Sequence, residues 1–316
     1  MKKVIVTTTI NAPTVAIEKF QTFKDWELVV VGDLKTPADY QLERGIYVSP
    51  AEQEKYDAEL SRAIGWNCVE RRNFGFLWAK DLGADIVAVV DDDNIPMDDW
   101  GRDLLVGSDV EVDYYETDLP AFDPLGATNH PHLWHRGYPL QLLPRRDYSR
   151  KTRRTVHVDI QADLWNGDPD IDAICRLQYA PHCEFDPGRF PMASNKIGPL
   201  NSQNTFLSSD VLEDYFIFPN VGRQQDIWAG YYVQARGFKA VYNKPSVVQV
   251  RNAHDLIFDM RLEYIGYENN LSLVEDISRN PEAILTYVPS RTAWAFELYR
   301  RHFNHSTRPV LSSALT

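Results

Sequence analysis

The residues best equipped for chemistry sit in one short stretch, Val87-Ala88-Val89-Val90-Asp91-Asp92-Asp93-Asn94-Ile95-Pro96, where an apolar run ends in three adjacent carboxylates. Ionised side by side, these groups repel one another, and their pKa values rise unless a cation compensates them. A hard divalent ion, Mn2+ or Mg2+, is the simplest compensation. Such an ion takes one or two protein carboxylates, keeps several waters and completes its shell with substrate phosphate oxygens. On an extended backbone side chains alternate, so Asp91 and Asp93 face one way as an Asp-x-Asp pair and Asp92 faces the other. The plain alternative is a solvated turn that caps the next segment.

The surrounding elements decide between these readings. Residues 2–9 and 27–31 read as β-branched strands, the second ending at Gly32-Asp33, and 13–24 and 51–64 read as helices. Within 71–83, Phe74, Leu77, Trp78 and Leu82 fall near helical spacing and Gly83 sits where a C-terminal cap belongs. That helix leads into a strand over 85–90. Strand and helix alternating in this way predict an α/β layered domain. The three aspartates then lie at the carboxyl end of a central strand, where open α/β sheets bind ligands.

The rest of the chain is bounded by its composition. It has 316 residues, 44% hydrophobic, with a formal net charge of −12, enough for one large domain. No apolar run approaches the roughly 18–20 residues that span a bilayer, and the first ten residues lack a signal-peptide core; both point to a cytoplasmic protein without a membrane partner. The three cysteines, Cys68, Cys175 and Cys183, show no CxxC spacing and predict free thiols. Acidic balance disfavours indiscriminate nucleic-acid binding, yet Arg145, Arg146, Arg150, Lys151, Arg153 and Arg154 form a local basic run. Residues 109–144 show little periodicity and predict long loops. Ordered signals return over 159–177 and 195–207, in a helix over 224–235, in strands at 239–242 and 247–250, and in helices beyond 254.

Several blocks together resemble a known family. VVDDDN preceded by RRNFGFLWAKDLGA, with VVVGDLKTP upstream and WNGDPDIDAICRL, GPLNSQNTF, GRQQDIWAGY and RNAHDLIFD downstream, is similar to GT-A nucleotide-sugar glycosyltransferases. The resemblance is to STELLO-type proteins and to the reversibly glycosylated polypeptides, relatives of UDP-arabinopyranose mutases, and it spans most of residues 3–277. It implies a Rossmann-like, mixed but mostly parallel sheet flanked by helices. The expected layout is a catalytic domain over 1–252, with 109–155 inserted as a lid or acceptor loop. A helical extension over 253–316 would pack on the same domain.

The same resemblance implies site roles. Asp93 would hold the metal, with Asp91 on metal or ribose, Asp92 beside the donor and His254 as a second metal ligand. Thr8, Thr9, Asn11 and Asp33 would grip the base and ribose of a UDP-sugar; Arg71, Asn73 and Arg251 would meet ribose or phosphate. Asp168, Asp170, Asn201, Asn204 and Trp228 would lie near sugar and acceptor. Asp226 would be the catalytic carboxylate, against the simpler reading that a first-turn Asp favours the helix dipole. The implied function is metal-dependent transfer of a sugar from a nucleoside diphosphate to an acceptor. The acceptor could be phosphorylated or a modified DNA base reached through the basic run at 145–154. A UDP-sugar mutase or self-glycosylating protein needs the same pocket, and an inactive GT-A binding protein is the alternative from outside enzymology. Sugar, anomeric outcome and oligomeric state are not legible.

Overall fold

The computed structural model describes residues 1–250 and 255–304. In chain order the first half contains β1 (Lys3–Thr9), α1 (Val15–Phe20), β2 (Glu27–Gly32), β3 (Ile46–Val48), α2 (Pro50–Tyr56), α3 (Ala58–Ile64), α4 (Arg72–Asp81), β4 (Ile86–Val90), β5 (Asn94–Pro96), β6 (Asp109–Tyr115) and β7 (Lys151–His157). The second half adds β8 (Ile160–Gly167), α5 (Ala173–Tyr179), β9 (Met192–Ser194), β10 (Asn204–Ser208), α6 (Gln225–Ala235), β11 (Ala240–Gln249), α7 (Leu256–Ile277) and α8 (Ser290–Arg301).

These strands form one mixed sheet in the order β3-β2-β1-β4-β10-β8-β11-β9-β6-β7, with β5 pairing on β11. The β3, β2, β1 and β4 strands run parallel, whereas β10 enters antiparallel between β4 and β8. The apolar runs Val4-Ile5-Val6, Val29-Val30-Val31 and Val87-Ala88-Val89-Val90 are fully buried, as a sheet covered on both faces requires. The fold is the α/β layered domain that the alternation of elements predicts, and its sheet is mixed and flanked by helices, as the family resemblance implies.

Three local expectations are corrected. The helix over 51–64 is two helices, because Asp57 leaves helical geometry (φ −156°) and caps α3 by accepting from the Glu59 and Leu60 amides. The two strands near 239–250 are one, β11, with a register shift between Asn243 and Val247. The segment 109–144 opens as a strand, since β6 pairs antiparallel with β7 across the full length of both. Between β6 and β7 the chain buries Leu119, Phe122, Leu125, Leu133, Trp134, Tyr138 and Leu142. Phe122 packs near Tyr242 of β11 and Trp134 meets Tyr179 of α5 edge-on, contacts that no local period encodes.

The C-terminal helices pack on the same body. Gly222 (φ +59°) lies so close to α7 that a Cβ there would sit 1.9 Å from the Leu262 carbonyl oxygen. Tyr299 on α8 donates to the Leu212 carbonyl at 2.7 Å.

Helix α4 is pressed onto the sheet in the same manner, at Gly75, where a Cβ would lie 2.3 Å from Val6 Cγ1 and 3.1 Å from Val31 Cγ2. Gly75→Ala therefore overpacks the α4–sheet contact. We expect it to lower the unfolding free energy by about 1–3 kcal/mol, read from urea denaturation, despite the better helix propensity of alanine.

Candidate active site

A cavity of about 340 Å³ opens at the carboxyl ends of β1 and β4. Thr8, Thr9, Ile10 and Asn11 form one wall, Asn67, Cys68, Val69 and Arg72 another, and Asp91, Asp92 and Asp93 a third. The strand β4 ends at Val90 and a turn follows, so strand alternation does not continue through the aspartates and all three line the same cavity. The expectation that Asp92 faces away is corrected for that reason.

Each wall is held by specific bonds. The Thr8 hydroxyl donates to the Val31 carbonyl at 2.8 Å, tying the end of β1 to β2. Asp92 Oδ2 accepts from the Thr9 hydroxyl at 2.5 Å and from Asn11 Nδ2 at 3.2 Å, while its carbonyl accepts from Thr14. Asp92 thus braces the ends of β1 and β4 together. Asp33 is buried, and its carboxylate accepts from the Leu34, Asn67 and Cys68 amides at 2.6, 2.8 and 3.0 Å. In this structure it shapes the 67–68 wall rather than presenting itself to the cavity.

The arginine of the site is Arg72. Arg71 belongs to the turn before α4; it is fully buried, bonds Gln53, Ser61 and the Gly65 carbonyl, and lies 3.6 Å from the Trp66 ring centroid. It cannot also meet a ligand, which corrects its expected role. One residue on, Arg72 pairs with Asp91 Oδ1 and donates to the Ser202 carbonyl and hydroxyl at 2.9 and 2.8 Å. Neighbouring residues on a helix point about 100° apart, so the twin arginines face opposite tasks. Burial pushes Asp91 above the ordinary carboxylate range, with Arg72 pulling the other way.

Asn73, Asn204 and Trp228 are also structural. Asn73 exchanges hydrogen bonds with the Ile217 backbone at 2.9 Å in both directions. Asn204 accepts from Trp100 and donates to the Leu164 carbonyl and Ser246, and Trp228 donates to Asn270 at 2.8 Å, joining α6 to α7. All three are fully buried.

Behind the cavity lies a second polar cluster, centred on a residue that sequence reading did not single out. Arg136 donates to both oxygens of Asp170 at 2.9 Å and to both oxygens of Asp226 at 3.0 and 3.1 Å. Asn201 Nδ2 adds a bond to Asp170 at 2.8 Å, and Ser202 bonds Asp226 through its amide and hydroxyl. Burial would raise the Asp226 carboxyl, but the Arg136 guanidinium overrides it and holds it below the ordinary range. A buried carboxylate held in this way is a weak base, so the expectation that Asp226 removes a proton is corrected. Asp168 pairs with Arg176 at the surface side of this cluster. Arg251 and His254 lie outside the described residues.

The basic run is largely neutralised. Arg146 pairs with Asp123, Arg150 with Asp118, Lys151 with Asp113, Arg153 with Glu111 and Asp113, and Arg154 with Glu116. These acids come from β6 and the segment after it, close in space but distant in sequence. Such pairing removes the observation on which a nucleic-acid acceptor rested. Lys244 likewise pairs with Asp103, and Trp134 is buried, donating to Asp172 at 2.6 Å.

Asp172 caps α5 through the Cys175 amide, and burial together with nearby Glu263 pushes its pKa up to about 7. A folded pKa above the unfolded value of roughly 3.9 means that the native state binds the extra proton, so stability falls as pH rises between about 4 and 7. Asp172→Asn keeps the cap without the charge. Urea denaturation at pH 5 and pH 8 should show the variant losing less stability over that interval than the wild type; an equal loss would contradict the assignment.

No protein-family profile matches the chain. It is 23% identical over 266 residues to the probable glycosyltransferase STELLO1 of Arabidopsis thaliana and 24% identical over 266 residues to STELLO2, covering 76% of this chain in each case. The chain spans about a third of the length of these relatives (34% and 35%). Among solved structures it is similar to Mycobacterium tuberculosis glucosyl-3-phosphoglycerate synthase in complex with Mn2+, UDP-glucose and phosphoglyceric acid, with a TM-score of 0.45, 13% identity and coverage of 86% and 80% of the two chains. It is similar also to A197 from STIV, with a TM-score of 0.35, 10% identity and coverage of 81% and 100%. In sequence, then, the chain resembles the probable glycosyltransferases STELLO1 and STELLO2 over about three quarters of its length.

Proposed function

We propose that this chain is a metal-dependent glycosyltransferase that binds a UDP-sugar in the cavity beside Asp91–Asp93 and transfers its sugar to an acceptor. The observation that supports it most is the cavity itself, in which three carboxylates and one guanidinium converge at the carboxyl edge of a parallel strand set. Its volume of about 340 Å³ lies within the range of small-molecule sites. The curated relatives named as probable glycosyltransferases favour the same reading.

The donor set suits the implied cation. Among the described residues no group of three or more His, Cys, Asp or Glu side chains is arranged to hold a metal ion. Mn2+ or Mg2+ needs no such group here, because Asp91 and Asp93 supply hard oxygens and the donor's diphosphate and water supply the remainder. When bound, the ion offers Lewis-acid stabilisation of the departing diphosphate. The chain's own residues do the rest. Arg72, paired with Asp91, places a guanidinium beside the aspartates on the cavity wall, where diphosphate charge would accumulate. Thr9 and Asn11, fixed by Asp92, and the 67–68 backbone, fixed by Asp33, form a rigid wall for base and ribose.

A panel of nucleotide sugars with Mn2+, read as nucleoside diphosphate release and product mass, tests the proposal. We expect release from at least one UDP-sugar, reduced roughly 100-fold or more by Asp93→Ala and much less by Asp92→Asn, whose amide can still accept from Thr9. Release from no donor, or release indifferent to Asp93→Ala, would overturn it; isomerisation of the donor without release would replace transfer by mutase chemistry.

The arginine assignment separates in the same assay combined with unfolding. Arg72→Met should weaken UDP binding, whereas Arg71→Met should cost about 1–3 kcal/mol of stability, through the buried neutral acceptors it leaves unsatisfied, while the folded protein keeps its UDP affinity.

A further inference from the structure

Arg72 is held in an unusual way. It is 2% exposed, its two terminal nitrogens are bonded to Asp91 and Ser202, and its buried Nε–H has no hydrogen-bond partner among the described residues. An unsatisfied buried donor is costly, so the guanidinium stays in place only through its other contacts. On the side away from Asp91 those contacts are the Ser202 carbonyl and hydroxyl.

Ser202 is itself positioned from behind. Its amide and hydroxyl donate to Asp226 Oδ2 at 3.1 and 3.2 Å. Asp226 is gripped on both oxygens by Arg136, and Arg136 is in turn held on both oxygens of Asp170, a fully buried carboxylate. Every member from Asp170 to Arg72 is at least nine-tenths buried, so water cannot screen or replace these bonds. The bidentate geometry at Arg136 fixes direction as well as distance.

We infer that Arg136 is a positioning residue for the donor pocket, acting through Asp226, Ser202 and Arg72 on the carboxylate of Asp91. The segment between β6 and β7 thereby does more than cover the sheet: it supplies the cation that orients a cavity it does not line. Asp170 anchors the far end and Asp226 transmits, which gives both carboxylates a role that requires no proton transfer. The inference rests on the donor reading only for its ligand measurement, because the orientation of Arg72 can be followed in the ligand-free protein.

The test combines two measurements on the whole chain carrying Ser202→Ala, Arg136→Lys or both. Serine 202 is the gentler site, since alanine deletes the hydroxyl and leaves the backbone contacts. In ligand-free protein, both single variants should shift the 15N guanidinium resonances of Arg72. In calorimetry with UDP and Mn2+, affinity should fall about fivefold for Ser202→Ala and about tenfold for Arg136→Lys. Because the two lie on one path, the double variant should bind no worse than Arg136→Lys alone, whereas independent effects would multiply. A purely structural Arg136 would lower the unfolding temperature without moving the Arg72 resonances. Unmoved resonances, or a multiplicative double variant, would overturn the inference. If Arg136→Lys fails to fold, Ser202→Ala decides alone, and unchanged resonances and affinity overturn it. Moved resonances in a protein that binds no UDP would leave the relay standing and remove the nucleotide reading instead.

Discussion

Two buried carboxylates, Asp170 after β8 and Asp226 at the start of α6, share one guanidinium, that of Arg136. Removal of one member of such a buried charge cluster costs about 3–5 kcal/mol through the charge left behind. The three residues come from separate parts of the chain, so the arrangement exists only when the β6–β7 segment, the end of β8 and α6 are all in place. It therefore acts as a lock on the region where the sheet changes from parallel strands to the antiparallel β10. The loop carrying Asn201 and Ser202 hangs from this lock, and the cavity lies directly beyond it.

The cavity itself is built from strand ends. The strands β1 and β4 run parallel and finish side by side, which brings Thr9 and Asn11 to Asp92. The 67–68 turn is drawn in by Asp33 at the end of β2. Helix α4 then crosses the sheet at Gly75, and the closeness of that crossing carries Arg72 to Asp91. Bracing, wall and counter-charge are thus assigned to different residues. This division explains why three adjacent aspartates are tolerated: Asp92 bonds hydroxyl and amide donors, Asp91 pairs with Arg72, and all three line a cavity where a further cation would offset the remaining charge.

Electrostatics at the sheet edge follow the same logic of pairing. The acids of β6 and the segment after it face the bases of β7 and the residues before it, so an acidic stretch and a basic stretch that look like separate interaction surfaces cancel. Pairs as exposed as these add little stability. Their consequence lies in the surface they present, which is far less basic than the run Arg150-Lys151-Thr152-Arg153-Arg154 suggests.

Much of this was legible in the sequence. The β-branched runs and the helical spacing from Phe74 to Leu82 determine the order of elements, because backbone period and side-chain burial are local properties. The position of Asp91–Asp93 at a strand end followed from the same pattern, as did the resemblance through VVDDDN and its companion blocks. What the sequence could not determine was which of two adjacent arginines faces the cavity, since that depends on where α4 begins and how closely Gly75 lets it approach. Nor could it tell that Asp226 is locked by Arg136, some ninety residues earlier in the chain, or that Asn73, Asn204 and Trp228 are bonded within the core. Those outcomes are set by contacts between residues far apart in sequence, and only the tertiary structure brings a buried charge to its partner.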